Sequence, residues 1–208
     1  MTTKSTRLRT DAAANRSQLL DVARQTFKDD GLGVSMSEIA RRARLGVATL
    51  YRHFPSKGDL VAEAFADPMG ECVGMLDDAL ADPDPWRAFC RVIEEVCEMQ
   101  AHDRGFSAAL VSALPGTSDF GALREHAETT FAELARRAKA SGDLRDDFST
   151  SDLMLILLAN SGVRAGAGDA APAASRRLTG YLLQSFRASA ADVPLPPQVP
   201  LPLDVSAL

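Results

Sequence analysis

The sequence predicts an all-α protein of about nine helices, with an N-terminal three-helix helix-turn-helix unit and a larger C-terminal helical domain. Alanine and leucine dominate a composition that is 46% hydrophobic and only 6% aromatic, which favours helices over sheets. Apolar residues recur at spacings of three and four along most of the chain, as they do on the buried face of a helix. Glycines, prolines and capping residues separate these stretches.

The first 56 residues predict a short arm followed by three helices. Residues 1–10 are polar and basic, and form either a flexible basic arm or an ordinary solvated tail. Residues 11–56 begin with one amphipathic helix that two glycines end. A Ser35 cap follows, and we expect it to form a capping box with Glu38. The next helix comes after a short turn and ends before Pro55.

Residues 57–190 predict a second, helical domain, and residues 191–208 predict a proline-rich tail that we expect to be disordered. The helix that starts at Lys57 should reach about Leu80, with a kink or break caused by Pro68. Five further helices are separated by loops rich in glycine, proline and aspartate. We expect them over about 86–100, 104–113, 118–141, 152–168 and 173–190.

Charge is distributed unevenly along the chain. Residues 1–57 carry eleven Lys and Arg against five Asp and Glu, a net charge of +6, whereas residues 58–208 carry a net charge of −11. A basic segment on an acidic body indicates a polyanionic partner for that segment alone. We therefore expect double-stranded DNA to bind residues 1–57, while the acidic remainder helps to orient the molecule on it.

The stretch from Ser35 to Lys57 carries side chains suited to DNA binding. Val47 and Ala48 are small enough to let a helix approach the floor of the major groove, and Thr49 can hydrogen-bond a base edge. Longer basic and aromatic side chains can reach phosphates, which fix register while base contacts give specificity. The expected DNA-binding residues are Ser37, Val47, Ala48, Thr49, Tyr51, Arg52, His53 and Lys57.

The same stretch resembles the DNA-binding signature of TetR-type transcriptional regulators, an IA–xxA–turn–TLYxHF–xxK–xxL pattern that here runs from Ile39 to Leu60. A GxLRxD-type connection that begins at Gly142 is also similar to that of many members. The resemblance implies a homodimer with a DNA-binding domain and an effector-binding domain, and repression as the usual outcome. Arg44 stands where glycine is usual, and Gly46 replaces the usual Ser or Thr cap. We therefore expect backbone strain at Arg44 and a less firmly capped helix.

The last two helices carry the expected dimer interface. Residues 152–167 are apolar nearly all round, so this helix should be buried on more than one side. Gly162 and Gly166 leave one face flat, and Tyr181 lies on the helix expected to pack beside it. A two-fold homodimer would place its two recognition helices about 34–36 Å apart, on successive turns of a near-palindromic operator.

An effector would bind among apolar side chains of the second domain. The candidates are Met75, Trp86, Phe89, Met99, Phe106, Leu110, Phe131 and Met154. Such spacing also describes an ordinary core, so both interpretations remain open. The polar candidates are His102, His126 and Asn160. This lining favours a small apolar or weakly polar molecule over a sugar phosphate or a metal. We expect the effector to shift the helix that starts at Lys57, because that helix links both domains.

Other functions find no support in the motifs. The sequence contains no nucleophile elbow, P-loop, dinucleotide fingerprint or zinc-protease motif, so we expect no enzyme, cofactor or metal. No apolar run is long enough for a membrane span, and the polar N-terminus predicts a cytoplasmic protein. Cys72, Cys90 and Cys97 lack CxxC spacing and are expected to be reduced thiols, with a redox role left open. The alternative to a regulator is a helical interaction module without DNA binding.

Overall fold

The computed structural model describes residues 3–112, 119–190 and 193–197, with side chains described from residue 13 onward. Across these residues the chain forms ten α-helices and no β-strand. The helices are α1 Thr3–Asp30, α2 Met36–Arg42, α3 Val47–His53, α4 Lys57–Ala64, α5 Ala66–Leu80, α6 Pro85–His102, α7 Arg104–Val111, α8 Asp119–Ala140, α9 Thr150–Ala167 and α10 Ala171–Ser185. The all-α fold predicted from the sequence is confirmed.

The first helix begins earlier than the sequence predicted. α1 starts at Thr3, so residues 3–10 are helical. This corrects the expectation of a flexible arm over these residues. Between Thr3 and Gly31 the chain has neither glycine nor proline, and its Lys, Arg and Leu residues propagate a helix readily once it is nucleated. Gly31 follows the last residue of α1 with a φ of 77°, which glycine adopts without strain. Residues 1 and 2 lie outside the described part of the chain.

The predicted fourth helix is divided in two, which accounts for a tenth helix. α4 ends at Ala64 and α5 begins at Ala66. Pro68 has no N–H to donate to the Ala64 carbonyl four residues earlier, so the helical hydrogen bond is lost at this point. The Arg24 Nε donates to that carbonyl instead, at 2.8 Å. The break expected from Pro68 is therefore present, and a side chain of α1 satisfies the carbonyl that it leaves.

The N-terminal helices α1, α2 and α3 share an apolar core. Leu19, Phe27, Ile39, Leu50 and Phe54 are each at most 1% exposed. Their spacing along the three helices is the one that predicted a single inward face on each. Because the core residues come from all three helices, burial fixes how α2 and α3 pack against α1, and therefore which side chains of α3 face outward.

The caps of the short helices are only partly as predicted. The Ser35 Oγ accepts the Glu38 N–H at 3.2 Å, which is the first half of the expected capping box. The second half is missing, because the Glu38 carboxylate binds two arginines of its own helix. A complete capping box instead joins Ser56 and Asp59 at the start of α4. The start of α4 is thus held by two reciprocal hydrogen bonds.

The C-terminal domain packs α5 to α10 around an aromatic cluster. The Phe89 ring lies 5.7 Å from Phe131 and 5.3 Å from Phe148, and Phe148 lies 5.2 Å from Phe186. The last two pairs meet edge to face, a favoured geometry for aromatic rings. α5 packs on α8, and α9 contacts α6, α7, α8 and α10. The cluster therefore holds α6 and α8 against the residue pair that lies just before α9 and just after α10, Phe148 and Phe186.

The two domains meet where α1 runs along α7. The Phe65 ring lies 6.1 Å from Phe27 on α1 and 6.2 Å from Phe106 on α7. Gly105 makes this approach possible, since a Cβ there would lie 2.9 Å from the Phe27 backbone and 2.6 Å from the Phe65 ring. The domains are therefore in direct side-chain and backbone contact.

The end of the chain returns to the connection between α8 and α9. The buried Arg145 pairs with Asp147 at 2.5 Å and donates to the Val193 carbonyl at 3.2 Å. The Leu195 N–H donates to Asp147 at 2.8 Å. Residues 193–197 are therefore held against the bundle, which corrects the expectation of disorder for that part of the tail. The rest of the tail lies outside the described residues.

Candidate nucleic-acid interface and helical cavity

The α3 helix is anchored by one face and exposes the other. Leu50 is fully buried, so the opposite face of this short helix projects from the domain. Ala48 and Arg52 lie on that far face and are exposed. Val47 and Tyr51 flank this face and are 41% and 48% exposed. The result is a surface that combines small apolar, aromatic and cationic side chains.

The remaining predicted contact residues border this face. Thr49, His53 and Lys57 are half-buried, and Ser37 in the first turn of α2 is exposed. The centroids of the His53 and Phe54 rings lie 6.4 Å apart. Each of the eight predicted DNA-binding residues thus keeps an accessible side chain, and seven of them lie on α3 or at the start of α4.

The turn between α2 and α3 shows both departures expected from the sequence. Arg44 has a φ of 55°, a left-handed conformation that costs a non-glycine residue roughly 1–2 kcal/mol. Gly46 caps α3 with its backbone alone and makes no side-chain cap. Its carbonyl accepts the N–H groups of Thr49 and Leu50 at 2.9 and 3.2 Å. α3 therefore begins without a capping side chain, as predicted.

The cations around α3 fall into two groups. Arg41 and Arg42 bind the Glu38 carboxylate at 2.6 to 2.8 Å, and these hydrogen bonds lower the pKa of Glu38 to about 2. Arg42 also pairs with the Asp30 carboxylate at 2.6 Å, so the charge of the two arginines is balanced locally. Within the described residues no carboxylate pairs with Arg52 or Lys57, and burial lowers the pKa of the Lys57 ammonium. The positive charge left for a polyanion thus lies on the exposed Arg44 of the turn, on α3 and at the start of α4.

A cavity of about 390 Å³ lies among α5, α6, α7, α8 and α9. Its volume falls within the range of small-molecule sites, roughly 300–1,000 Å³. Its apolar lining consists of Met69, Cys72, Leu76, Val92, Val96, Leu110, Ala127, Phe131, Leu153, Met154 and Leu157. Its polar lining consists of Arg124, Glu128, Thr150 and Ser151. The site is thus mainly apolar, with a few polar groups that could orient a ligand.

Three of the eight residues predicted for an effector pocket line this cavity. They are Leu110, Phe131 and Met154. Trp86 and Phe89 do not line it, because their rings stack on each other at 5.7 Å within the aromatic cluster. These two residues are therefore core residues, which is the alternative that the sequence left open for them.

Three more predicted pocket residues also lie away from this cavity. The Phe106 ring packs against Phe65 at the junction of the two domains. Met75 and Met99 are partly buried and pack against the apolar core. Helical spacing shows which face of a helix turns inward, but it does not show which inward residues border a gap. That information depends on how five helices pack together.

The polar candidates also lie outside the cavity. His102 and His126 are more than half exposed, and His126 binds a surface aspartate at 3.0 Å. Asn160 is buried, and its amide donates to the Gln100 Oε1 at 3.0 Å and accepts from the Ser175 Oγ at 2.7 Å. Its polar groups are therefore satisfied within the protein, and Asn160 ties α9 to α6 and α10.

Arg124 is the one cationic side chain among the described lining residues that the sequence did not predict. Its side chain is 14% exposed. Its Nη1 donates to the Ser112 carbonyl at 2.6 Å and its Nε to the Glu128 carboxylate at 3.1 Å. Its Nη2 is buried and has no hydrogen-bond partner among the described residues. The signal was present in the spacing, since Arg124, Ala127 and Phe131 are three and seven residues apart and share one face of α8.

A second apolar surface lies on α9 and α10. Leu155 on α9 is 53% exposed and Tyr181 on α10 is 57% exposed. Leu155, Ala159, Gly162 and Gly166 are all exposed, and their spacing of four, three and four residues places them on one stripe of α9. α9 therefore has an uncovered face of apolar and small residues in the single chain.

Other kinds of site have little basis in the described residues. No three of their His, Cys, Asp and Glu side chains are grouped so as to hold a metal. None of the described helices combines the length and apolar character that crossing a bilayer requires. Burial raises the pKa of the Cys72 thiol to about 11, and burial with a nearby glutamate raises the pKa of Cys90 to about 12. These thiols stay protonated at neutral pH and are poor nucleophiles.

Comparison with known protein families matches both halves of the chain. Residues 19–64 match the model of bacterial regulatory proteins of the tetR family. Residues 84–187 match the model of the C-terminal domain of SbtR-like transcriptional regulators. The first match covers α3 and its turn, and the second covers the helices α6 to α10 together with most of the cavity.

Individual relatives agree with these matches. An HTH-type transcriptional regulator of Staphylococcus aureus strain USA300 is 41% identical over 54 residues, which span 26% of this chain and only 29% of that protein. A TetR-family regulator from Agrobacterium tumefaciens has a similar fold, with a TM-score of 0.59 and 20% identity over 85% of this chain and 99% of that one. The regulator FadR of Bacillus subtilis, solved with stearoyl-CoA, has a TM-score of 0.56 and 16% identity over 80% and 97%.

Proposed function

The chain belongs to the TetR family of transcriptional regulators, and from this premise we propose that it is a repressor that binds its operator as a homodimer and releases it when an effector fills the cavity. The observation that carries the proposal is the exposed face of α3, where Val47 and Tyr51 project into solvent beside an unpaired Arg52. A folded domain gains nothing in stability from such exposure. A DNA groove would cover it.

DNA docking follows from the arrangement of α3. Val47 and Ala48 allow a close approach to the major groove, and Thr49 contacts base edges. Tyr51, Arg52, His53 and Lys57 bind phosphates on either side, and Ser37 adds a contact from the start of α2. Glu38 and Asp30 already pair with the two arginines of α2, so the phosphate contacts come mainly from α3 and Lys57.

Dimerisation uses the uncovered stripe of α9 together with Tyr181 on α10. Leu155, Ala159, Gly162 and Gly166 form a stripe of small and apolar residues, which a second copy of the same stripe would bury. Gly162 and Gly166 have no other group within 4 Å of a potential Cβ, so two α9 helices could approach closely there. A two-fold axis at this stripe makes the same surface serve both subunits.

The effector signal has a physical route from the cavity to the DNA-binding domain. α7 lines the cavity through Leu110, and its opposite end packs Gly105 against the backbone of Phe27 in α1. α5 also lines the cavity and follows directly after α4. α4 itself, the helix expected from the sequence to carry the signal, contributes no described residue to the lining. We therefore propose that α7 acts on α1 directly and that α4 follows through α5.

The test is operator binding by variants of the α3 surface. DNA from the region upstream of the gene is titrated with wild-type protein, Tyr51→Ala and Lys57→Ala at several salt concentrations. Each variant should weaken binding, and Lys57→Ala should reduce the slope of log affinity against log salt by about one, because one phosphate contact is lost. Lys139→Ala on α8 removes the same charge from the other domain and should leave the slope unchanged.

Two results would count against the proposal. If wild-type protein binds no DNA more tightly than random sequence, the alternative of a helical interaction module is favoured. If Tyr51→Ala and Lys57→Ala bind as the wild type does, with the same salt dependence, the docking through α3 is wrong.

A further inference from the structure

We infer that the cavity binds an apolar organic acid, with the carboxylate of the ligand held by Arg124. This inference rests on the proposed function only in taking the cavity as the effector site. It replaces the apolar or weakly polar effector expected from the sequence with an apolar molecule that carries one negative charge.

The lining fixes the larger part of the ligand. Side chains from five helices contribute aliphatic, thioether and aromatic groups, among them Met69, Val92, Leu110, Phe131 and Met154. A ligand gains most by placing a hydrocarbon body against these groups, since burial of apolar surface is the main favourable term here. A sugar or a nucleotide would leave its hydroxyls and phosphates unpaired against such walls.

The guanidinium of Arg124 fixes the polar end. Two of its three nitrogens are engaged, Nη1 with the Ser112 carbonyl at 2.6 Å and Nε with Glu128 at 3.1 Å. The third, Nη2, is buried and without a partner among the described residues. A buried donor that has lost water without gaining an acceptor is unfavourable. An acceptor supplied by a ligand would remove that penalty, and a charged acceptor would do so most strongly.

The charge balance selects an anion. The Arg124 side chain is 14% exposed, whereas the Glu128 carboxylate that pairs with it is 59% exposed. The negative partner is therefore largely hydrated, and the positive partner lies on the inner side of the pair. Thr150 and Ser151 line the same cavity and form the first turn of α9, where the helix dipole also favours negative charge. Asp152 in that turn is occupied by the Ser149 N–H at 2.7 Å.

Arg124 also connects the ligand to the route through α7. The Ser112 carbonyl that it binds belongs to the residue that ends α7. A carboxylate that draws the guanidinium toward itself changes this hydrogen bond at one end of α7. The other end of α7 lies against α1 through Gly105. An acid therefore acts on the helix that contacts the DNA-binding domain, whereas a neutral compound of the same shape has no charge to draw Arg124.

The experiment compares acids with neutral molecules of matched shape. Straight-chain acids from hexanoate to dodecanoate, together with phenylbutyrate, are titrated into the full-length protein by calorimetry at neutral pH. The alcohol and the amine with the same carbon skeleton are titrated alongside each acid. We expect the best acid to bind about tenfold or more tightly than its alcohol, and the amine to bind more weakly than either.

The Arg124→Gln variant tests the assigned partner. It should reduce the affinity for the best acid to that for the alcohol while leaving the alcohol affinity unchanged. Arg136→Gln is the matched control, because Arg136 lies on the same helix with a 67% exposed side chain that pairs with Glu133, and it should keep the preference for the acid. Circular dichroism checks that each variant is folded. Arg124→Lys, which keeps the charge, should retain part of the preference.

The outcomes separate this inference from the proposed function. If no acid of the series binds wild-type protein more tightly than its alcohol, or if Arg124→Gln keeps the full preference, the inference is overturned. Operator release is measured separately with the same compounds. An acid that binds through Arg124 without weakening DNA binding contradicts the proposed function and leaves the ligand class standing. A neutral compound that binds better than any acid and releases DNA overturns the ligand class and supports the proposed function.

Discussion

The α3 surface and the α5–α9 cavity handle charged and apolar groups in opposite ways. On α3, apolar and aromatic side chains such as Val47 and Tyr51 are exposed next to an unpaired Arg52. In the cavity, a guanidinium is enclosed by apolar side chains and one of its nitrogens has no described partner. Each arrangement is unfavourable for the isolated chain and becomes favourable with a partner, an extended polyanion in the first case and a small molecule in the second.

The difference also lies in what determines each site. The α3 surface is built from side chains within one short stretch, so their accessibility depends on a few neighbouring buried residues, chiefly Leu50 and Phe54. The cavity is a space between five helices, and its shape depends on contacts across the whole second domain. Substitutions that break the proposed dimer should therefore weaken DNA binding by changing the spacing of the two α3 helices. Substitutions in the turn before α3 should change only the local position of that helix.

The largest effect is expected from Leu155→Glu on the stripe of α9. In a two-fold dimer each introduced carboxylate would be buried without a partner against the apolar stripe of the other subunit, and an unpaired charge at an interface costs several kcal/mol. Because each 1.4 kcal/mol is a factor of ten, we expect a monomer whose operator affinity has fallen at least about a hundredfold. Analytical ultracentrifugation and DNA titration measure the two consequences.

Val193→Glu is the control for this change. Val193 is 73% exposed in the tail, so the same acid introduced there should alter neither the oligomeric state nor DNA binding. A Leu155→Glu protein that remains dimeric and binds the operator normally would show that the dimer forms through a surface other than the α9 stripe.

A smaller effect is expected at the junction, from Gly105→Ala. The new Cβ would lie 2.6 Å from the Phe65 ring and 2.9 Å from the Phe27 backbone, and such overpacking costs about 1–3 kcal/mol. Gly74→Ala is the matched control, because nothing lies within 4 Å of a Cβ there. Within helix α5 alanine should stabilise the protein by up to about 1 kcal/mol. Urea unfolding should therefore give changes of opposite sign, and equal changes would mean that α1 and α7 are not in close contact.

How far the sequence predicted the structure differs between the same two regions. The α3 residues and the strained turn followed from local patterns, because burial of Leu50 and the absence of a glycine at Arg44 are properties of neighbouring residues. The break before Pro68 was also local, although the role of Arg24 in satisfying the Ala64 carbonyl was not visible. A pairing between residues forty positions apart leaves no periodic signal in the chain.

The cavity could be predicted only in part for the same reason. Leu110, Phe131 and Met154 were recognised as inward residues, but Trp86 and Phe89 share that pattern and belong to the aromatic cluster. Arg124 was missed because a charged residue on a helix is usually solvated. The prolines of the tail predict disorder, whereas Arg145 holds the Val193 carbonyl through a contact of long sequence separation.

The smallest effect concerns the turn before α3. Arg44 has a φ of 55°. This conformation suits glycine and strains residues that carry a Cβ, although asparagine and aspartate are strained less than the others. Arg44→Gly and Arg44→Ala remove the same charge, so they should weaken DNA binding equally. Their stabilities should differ, with the glycine variant more stable by about 0.5 to 1 kcal/mol after the greater flexibility of glycine in the unfolded chain is included. Urea unfolding measures this difference. Equal stability of the two variants would mean that the turn is not held in the left-handed conformation, and a difference in their DNA affinity would mean that the turn, and not only the charge of Arg44, positions α3.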